Sequence, residues 1–409
     1  MSTQSATPAQ LDLFVAVAEA YAERGVLANG DLYNHLSQRF ALDPAEAVPI
    51  GVAGVKRSVW KRAVRWQQQT LKAMGVLEHV PGERGAWRLA ASEGGLSAAP
   101  PGIALLGFST RLGVAVWGDC STALAGLDQP ITLIVSSPPY PIQRARRYGG
   151  TADTKSYVDF ICRAIAPAIR ALAPGGSLCL NVSNDVFEPG RPSRSLYLER
   201  LTLAVADRFG MSLMDRLIWH NPSKPPGPIA WASKKRVQLN VAWEPILWFT
   251  NDPTRISADN RRVLETHTRK QIALMKSGGE SRQASYGDGA YRLRPGAFST
   301  ETDGRIPRNL IMRGHACSDT AQYRADATRL NLPVHGAMQP IAIPEFLIRF
   351  LTRESDLVVD PFGGTATTAM AAERLGRRWL VVERMLEYLR GGGERFQRCD
   401  GFRWGHGVA

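Results

Sequence analysis

The segment Leu357-Val358-Val359-Asp360-Pro361-Phe362-Gly363-Gly364-Thr365-Ala366-Thr367-Thr368 constrains the fold more than any other part of the chain. An apolar run ends at an acid, and a glycine-rich turn follows. The stretch Ala369–Leu375 then reads as a helix leading to a second strand that ends at Glu383. A strand, turn, helix and strand in this order form a crossover unit, which demands parallel pairing with the helix packed on the sheet. Glycines let the backbone approach a ligand closely, and a helix N-terminus attracts anionic groups. An acid about 20 residues downstream can accept from both hydroxyls of a ribose. The segment therefore predicts a nucleoside-binding crevice, the alternative being a structural Gly-rich turn of the kind found across α/β proteins.

On the N-terminal side of this unit, short apolar runs alternate with helical stretches, the pattern of an α/β domain with a mostly parallel sheet. Strands are expected at Val114–Trp117, Ile131–Val135, Ser177–Val182, Leu357–Val359 and Trp379–Val382. Directly after Ile131–Val135 comes Ser136-Ser137-Pro138-Pro139-Tyr140. Ligands of open α/β sheets bind beyond the carboxyl ends of the strands, so this loop must border the crevice. Paired prolines stiffen it and lack N–H donors, leaving carbonyl oxygens as acceptors. Ser137 adds a hydroxyl and Tyr140 an aromatic face on which a base can stack. That chemistry suits an amine substrate, although Ser-Pro-Pro is also ordinary turn chemistry. Between about Asn221 and Asn331 the alternation fades into Pro-, Gly- and Arg-rich sequence, which predicts an inserted segment.

The front of the chain reads differently. Leu13, Val17 and Ala20, then Trp60, Val64 and Leu71, keep helical spacing, and Gly85-Ala86-Trp87-Arg88-Leu89 reads as a strand. Helices followed by a small hairpin wing are expected, with Ser92 to Pro101 as a linker. Charge matters here. The 409-residue chain carries a formal +13, and Lys56, Arg57, Lys61, Arg62 and Arg65 lead a basic run that only Glu78 and Glu83 offset. This balance fits nucleic acid, or a merely solvated basic face. No apolar run reaches bilayer length, and Met1 to Gln10 lacks a secretory pattern, so a soluble, intracellular protein is expected. Cys120, Cys162, Cys179, Cys317 and Cys399 form no CxxC pair, which points to free thiols and no metal site.

Taken together, Ser137-Pro138-Pro139-Tyr140 and Phe362-Gly363-Gly364-Thr365-Ala366 resemble the two signature loops of DNA amino-methyltransferases. These are a catalytic loop with Asp, Asn or Ser before Pro-Pro and an aromatic residue, and an F-x-G-x-G cofactor loop. Here alanine replaces the second glycine, adding a methyl group close to the cofactor. The catalytic loop precedes the cofactor loop, which is similar to the circularly permuted order of the family's beta group. Trp117-Gly118-Asp119 resembles the strand end at which an acid meets the cofactor's adenine. Gly336-Ala337-Met338-Gln339-Pro340 looks like the element before the cofactor loop. Ile218-Trp219-His220-Asn221-Pro222-Ser223 and Trp243-Glu244-Pro245-Ile246-Leu247-Trp248-Phe249 look like further family elements. Ser58 to Leu89 is similar to the winged-helix module of Mrr-type restriction proteins, for DNA contact or, alternatively, dimerisation.

The resemblance, which covers about Val114 to Leu389, implies an α/β, Rossmann-like methyltransferase sheet behind a helical, winged-helix front domain. The units implied are 1–92 (front domain), 93–105 (linker), 106–221 (catalytic part), 222–330 (target recognition), 331–396 (cofactor-binding part) and 397–409 (tail). S-adenosylmethionine is the implied cofactor. Asp119, Gln339, Asp360, Pro361, Phe362, Gly363, Gly364, Thr365 and Glu383 would hold it, with Asp360 among the acceptors for its amine. Ser137, Pro138, Pro139 and Tyr140 are the implied catalytic residues. Duplex DNA is the implied substrate, contacted by Lys56, Arg57, Lys61, Arg62, Arg65, Lys234, Lys235, Arg236, Arg261 and Arg262. Serine at the head of the catalytic loop is typical of cytosine-N4 enzymes, with adenine-N6 the alternative; an RNA methyltransferase or a restriction-type DNA-binding protein is more distant. No cysteine follows a proline, as a cytosine-C5 nucleophile would. A homodimer, a cognate restriction endonuclease and a cytoplasmic, nucleoid-associated setting of bacterial or phage type complete these expectations.

Overall fold

A computed structural model describes residues 10–43, 48–50, 55–73, 76–89, 98–99, 102, 104–141 and 154–405. Its centre is a ten-stranded sheet. In chain order the strands are β1 (Ala104–Ser109), β2 (Gly113–Gly118), β3 (Ile131–Ser136), β4 (Leu172–Asn181) and β5 (Ser212–His220), followed by β6 (Trp243–Thr250), β7 (Leu310–Met312), β8 (Leu357–Asp360), β9 (Arg378–Glu383) and β10 (Arg403–Trp404). Across the sheet the order is β7-β5-β6-β4-β3-β8-β9-β2-β1-β10. The run β4-β3-β8-β9-β2 is parallel throughout, and antiparallel pairs flank it on both sides.

The parallel strands are apolar almost without interruption because both their faces are covered. Leu133, Val135, Val358 and Val381 pack toward the helices Ala342–Leu351 and Thr367–Arg374. Their sequence neighbours Ile134, Val359, Leu380 and Val382 pack on the other face, toward Thr154–Arg170 and Tyr197–Phe209. Every strand expected from sequence is present, most of them longer at their ends. Five others were not anticipated, among them β5 and the short edge strand β7. β1 begins inside the expected linker, β10 lies in the expected tail, and β6 is an interior strand within the stretch where the sheet was expected to lapse. β6 went unseen because Ile246 to Thr250 is buried on both faces and so shows no alternation. Further on, the helix Ser318–Arg329 packs against the helix Leu386–Gly393, and its buried Asp319 pairs with Arg374 and Arg395.

The front of the chain folds as helix Gln10–Arg24, strand Leu27–Ala28, helices Asn29–Phe40 and Val59–Ala73, then the hairpin Leu77–His79 and Ala86–Leu89. Leu27–Ala28 pairs with Ala86–Leu89, making a small antiparallel sheet. Leu13, Val17, Tyr21, Leu36, Trp60, Val64 and Leu71 form its core, at the helical spacing read from sequence. The buried Gln68 amide ties the helices together by donating to Tyr21 Oη (2.7 Å) and Asn29 Oδ1 (2.9 Å). A further hairpin, Val48–Ile50 with Val55–Arg57, precedes the third helix. Among the described residues, no helix is long and apolar enough to cross a membrane, and no His, Cys, Asp and Glu cluster could hold a metal ion.

Candidate active site

The parallel registers bring four strand ends together. Asp360 lies opposite Val381, and Glu383 lies opposite Trp117, two residues before Asp119. Asp119 caps the short helix Cys120–Ala123 by accepting from the Ser121 amide at 2.9 Å. Gly363 packs against β9 so closely that a Cβ there would lie 3.1 Å from Val381 Cβ. Gly364 has φ +51°, and its amide donates to Glu383 Oε2 at 2.7 Å, while the Met385 amide donates to Oε1, also at 2.7 Å. Burial pushes the Glu383 carboxyl up to about 7. Each of its oxygens keeps one lone pair for a further donor.

Asp360 does something other than expected. It is almost wholly buried, and its Oδ1 accepts from the Ser136 hydroxyl (2.5 Å) and the Phe362 amide (3.0 Å), its Oδ2 from the Thr368 hydroxyl (2.7 Å). With these bonds made it is a bracket beneath the crevice, joining the loop after β3 to the loop after β8. Three donors of its own chain occupy the carboxylate, and only Oδ2 keeps a lone pair. Thr365 is likewise turned inward, its hydroxyl 3.1 Å from that of Thr367, and its carbonyl accepts from the buried Arg395 guanidinium. Ala366 is fully buried at φ +59°. Its methyl group joins the core, and the left-handed backbone here is one that favours glycine. The Gln339 Oε1 atom is buried without a partner, an acceptor still open to a donor. His335, overlooked in the sequence, sets its Nε2 3.9 Å from where a Cβ on Gly364 would stand.

The loop after β3 forms the other wall. Ser136 points down to Asp360, so Ser137, its neighbour in an extended chain, faces the other way. Pro138 is buried and Pro139 half-buried. Ser137 Oγ lies 3.3 Å from Tyr140 Oη, which donates to Glu244 Oε2 at 3.0 Å. Lys224 Nζ donates to Glu244 Oε1 at 3.0 Å. Burial, then the Glu244 carboxylate, hold the Tyr140 phenol well above its ordinary value, so it stays protonated. Glu244 is set by the pairing of β6 with β5, which places it opposite Trp219. Lys224 follows the end of β5, where the Asn221 amide donates to the Ala242 carbonyl at 2.9 Å. Nearby, burial raises the Asp185 carboxyl against the pull of Lys224, and Asp185 Oδ1 has no partner. His315 stacks on Trp219 with centroids 6.1 Å apart, and burial lowers its pKa. Glu244, Lys224, Asp185 and His315 were not singled out from sequence. The signal for Glu244 was there, as a charged residue heading an otherwise apolar strand.

The basic residues divide. Lys234, Lys235 and Arg236 are exposed together on one excursion, with Lys235 over the Trp231 ring. Arg62 and Arg65 are exposed on Val59–Ala73, Arg65 donating to Tyr33 Oη, and Lys61 lies over the Tyr33 and Trp60 rings. The side chains of Lys56 and Arg57 lie outside the described residues. Arg261 is exposed and paired with Asp259. Arg262 departs from expectation. It donates to the carbonyls of Ser257, Phe350 and Thr352, which makes it a clamp on the end of helix Ala342–Leu351.

Comparison with known proteins agrees with this geometry. M.PvuII, a type II methyltransferase of Proteus hauseri, is 31% identical over 290 residues, covering 71% of this chain and 85% of that protein. M.ScaI of Streptomyces caespitosus is 23% identical over 274 residues, covering 66% of this chain and 77% of its own. The solved structure of the PvuII DNA methyltransferase, described as cytosine-N4-specific, superposes with a TM-score of 0.55 at 29% identity, over 70% of this chain and 87% of that one. The family model N6_N4_Mtase, "DNA methylase", matches residues 131–393, and this chain belongs to that family.

Proposed function

We propose that this protein is a site-specific DNA methyltransferase that transfers a methyl group from S-adenosylmethionine to the N4 amine of cytosine in duplex DNA, after flipping the base out of the helix. One observation carries the reading: Ser137, heading a Pro-Pro-Tyr loop, is held beside the Gly363-Gly364 turn by the Ser136–Asp360 bond. The likeness to a cytosine-N4-specific enzyme supports the choice of base. The crevice suits the donor, since Glu383 keeps lone pairs for ribose hydroxyls, Gln339 Oε1 lacks a partner, and Gly364 leaves room above the turn. When bound there, S-adenosylmethionine supplies an electrophilic methyl group on a sulfonium that departs as a neutral thioether.

The rest belongs to the chain. An exocyclic amine has its lone pair delocalised into the ring, so it attacks only when acceptors draw on its protons. Ser137 Oγ and the Pro138 carbonyl are the acceptors, and the Tyr140 ring takes the flipped base at a cost of about a few kcal/mol in lost stacking and pairing. Holding amine, methyl carbon and leaving sulfur in line supplies much of the acceleration. Lys234, Lys235 and Arg236 would track phosphates within a target-recognition region spanning 222–330. The front domain, read as a winged helix, adds DNA affinity through Val59–Ala73. Bacterial type II relatives favour a cytoplasmic setting beside a cognate endonuclease. Nucleoside analysis of duplex DNA incubated with the protein and donor should yield N4-methylcytosine. N6-methyladenine in its place would sink the base assignment while leaving an amino-methyltransferase.

A further inference from the structure

We propose that Glu244 is a positioning residue for methyl transfer: through Tyr140 it turns the Ser137 hydroxyl into an acceptor, and it takes up the proton that the base amine sheds. The inference rests on the reading of this site as one for an exocyclic base amine. The argument is one of hydrogen-bond direction. An ionised carboxylate only accepts, so Tyr140 must donate its single proton to Glu244 across 3.0 Å. The Tyr140 oxygen can then only accept from Ser137, 3.3 Å away. With its proton so used, Ser137 presents lone pairs to whatever lies beyond it. Lys224 locks the far carboxylate oxygen at 3.0 Å. Both side chains are about one-fifth exposed, at 17% for Glu244 and 20% for Lys224, so the pair is shielded yet open to proton exchange with water.

Proton balance needs such a group. As the amine nitrogen bonds to the methyl carbon, the bond from that carbon to sulfur breaks, and the nitrogen is left cationic with one proton too many. That proton passes to Ser137 Oγ while Ser137's own moves to Tyr140 Oη and Tyr140's to Glu244 Oε2. Ser137 and Tyr140 end unchanged, and Glu244 ends protonated beside Lys224, to be cleared to solvent. A neutral serine backed by a carboxylate two bonds away thus does the work that a carboxylate at the head of the loop would do directly. The other titratable groups facing Glu244 are Asp185, His315 and Tyr197.

The decisive variant is Glu244→Gln. Lys224 demands an acceptor, so the amide oxygen turns toward it and the amide NH2 toward Tyr140. The chain of donors reverses, and the Ser137 proton meets the base. Single-turnover rates should fall at least about tenfold, equivalent to about 1.4 kcal/mol, with S-adenosylmethionine and DNA affinities unchanged. Glu244→Asp should recover part of the loss. Tyr140→Phe combined with Glu244→Gln should be no slower than the slower single variant, since both break one chain. Independently of any substrate, NMR titration of 13C-labelled tyrosine, assigned by Tyr140→Phe, should show Tyr140 ionising at lower pH once the Glu244 charge is gone. Wild-type turnover in Glu244→Gln, additive losses in the double variant, or an unmoved phenol would each overturn the inference. A phenol that moves in a protein whose wild type makes no N4-methylcytosine would overturn the underlying reading instead.

Discussion

The two walls of the crevice are built on opposite terms. On the side proposed for the cofactor Asp360 takes three donors from its own chain and Glu383 is held by two backbone amides, both nearly lost from solvent. On the base side Ser137, Tyr140, Glu244 and Lys224 form a loose chain of hydrogen bonds between 3.0 and 3.3 Å, part of it reached by water. A wall preorganised by buried groups suits a ligand that returns in every turnover. A wall of half-open hydroxyls suits a base that arrives from a duplex and must leave again.

The strongest way to break this contrast is a pair of alanines. Ser137→Ala should cut turnover about a hundredfold or more and leave calorimetric cofactor affinity within about twofold. Asp360→Ala should do the reverse first. It strands two hydroxyls and an amide at about 1–3 kcal/mol each, lowering the melting temperature and cofactor affinity together. An Asp360→Ala protein with unchanged affinity and melting would show that the bracket does not shape the cofactor wall.

Legibility followed the same divide. The parallel strands, both loops and the place of Glu383 at a strand tip could be read because fully buried strands and glycine-rich turns are written in consecutive residues. Glu244 and Lys224 were harder, since they reach Tyr140 only through the pairing of β6 with β5 and the loop after it. The bracing role of Asp360 was hidden for a related reason. Sequence places an acid at a strand tip but does not say that Ser136 and Thr368 will already be bonded to it. Arg262 looked like any other arginine of a basic stretch until the carbonyls at the end of a distant helix claimed it.

Glu383 sharpens the comparison through pH. Its carboxyl is raised from 4.5 to about 7, so between those values the folded protein holds a proton that the unfolded chain has released. Stability from this group is therefore present below about pH 4.5 and declines, by about 3 kcal/mol in all, as pH rises through 7. Cofactor binding should run the other way, because ribose hydroxyls donate to the ionised form. Affinity should rise severalfold from pH 6 to 8, and Glu383→Gln should flatten both trends. A pH-independent wild type would remove Glu383 from the ribose site.

The smallest effects belong to the basic surfaces outside both walls. Replacing Lys234, Lys235 and Arg236 by alanine should lower the slope of log affinity against log salt by up to about 3, one for each phosphate that is no longer neutralised. Deleting Met1 to Ala90 should also weaken DNA binding and reduce the slope. A truncated protein that keeps affinity and slope but becomes monomeric would assign the front domain to dimerisation.

One edge of the sheet bears on how such a domain can evolve. β1 and β10 lie side by side, Ser109 against Arg403 and Phe108 against Trp404, so the first and last strands of the large sheet among the described residues are neighbours. A short peptide could join those ends and the chain could be opened at a surface loop elsewhere without moving any strand. The crevice depends only on which strand tips are neighbours and is indifferent to the order in which the ribosome makes them. A gene could be rearranged in this way, exchanging which signature loop comes first, and the enzyme would keep its chemistry.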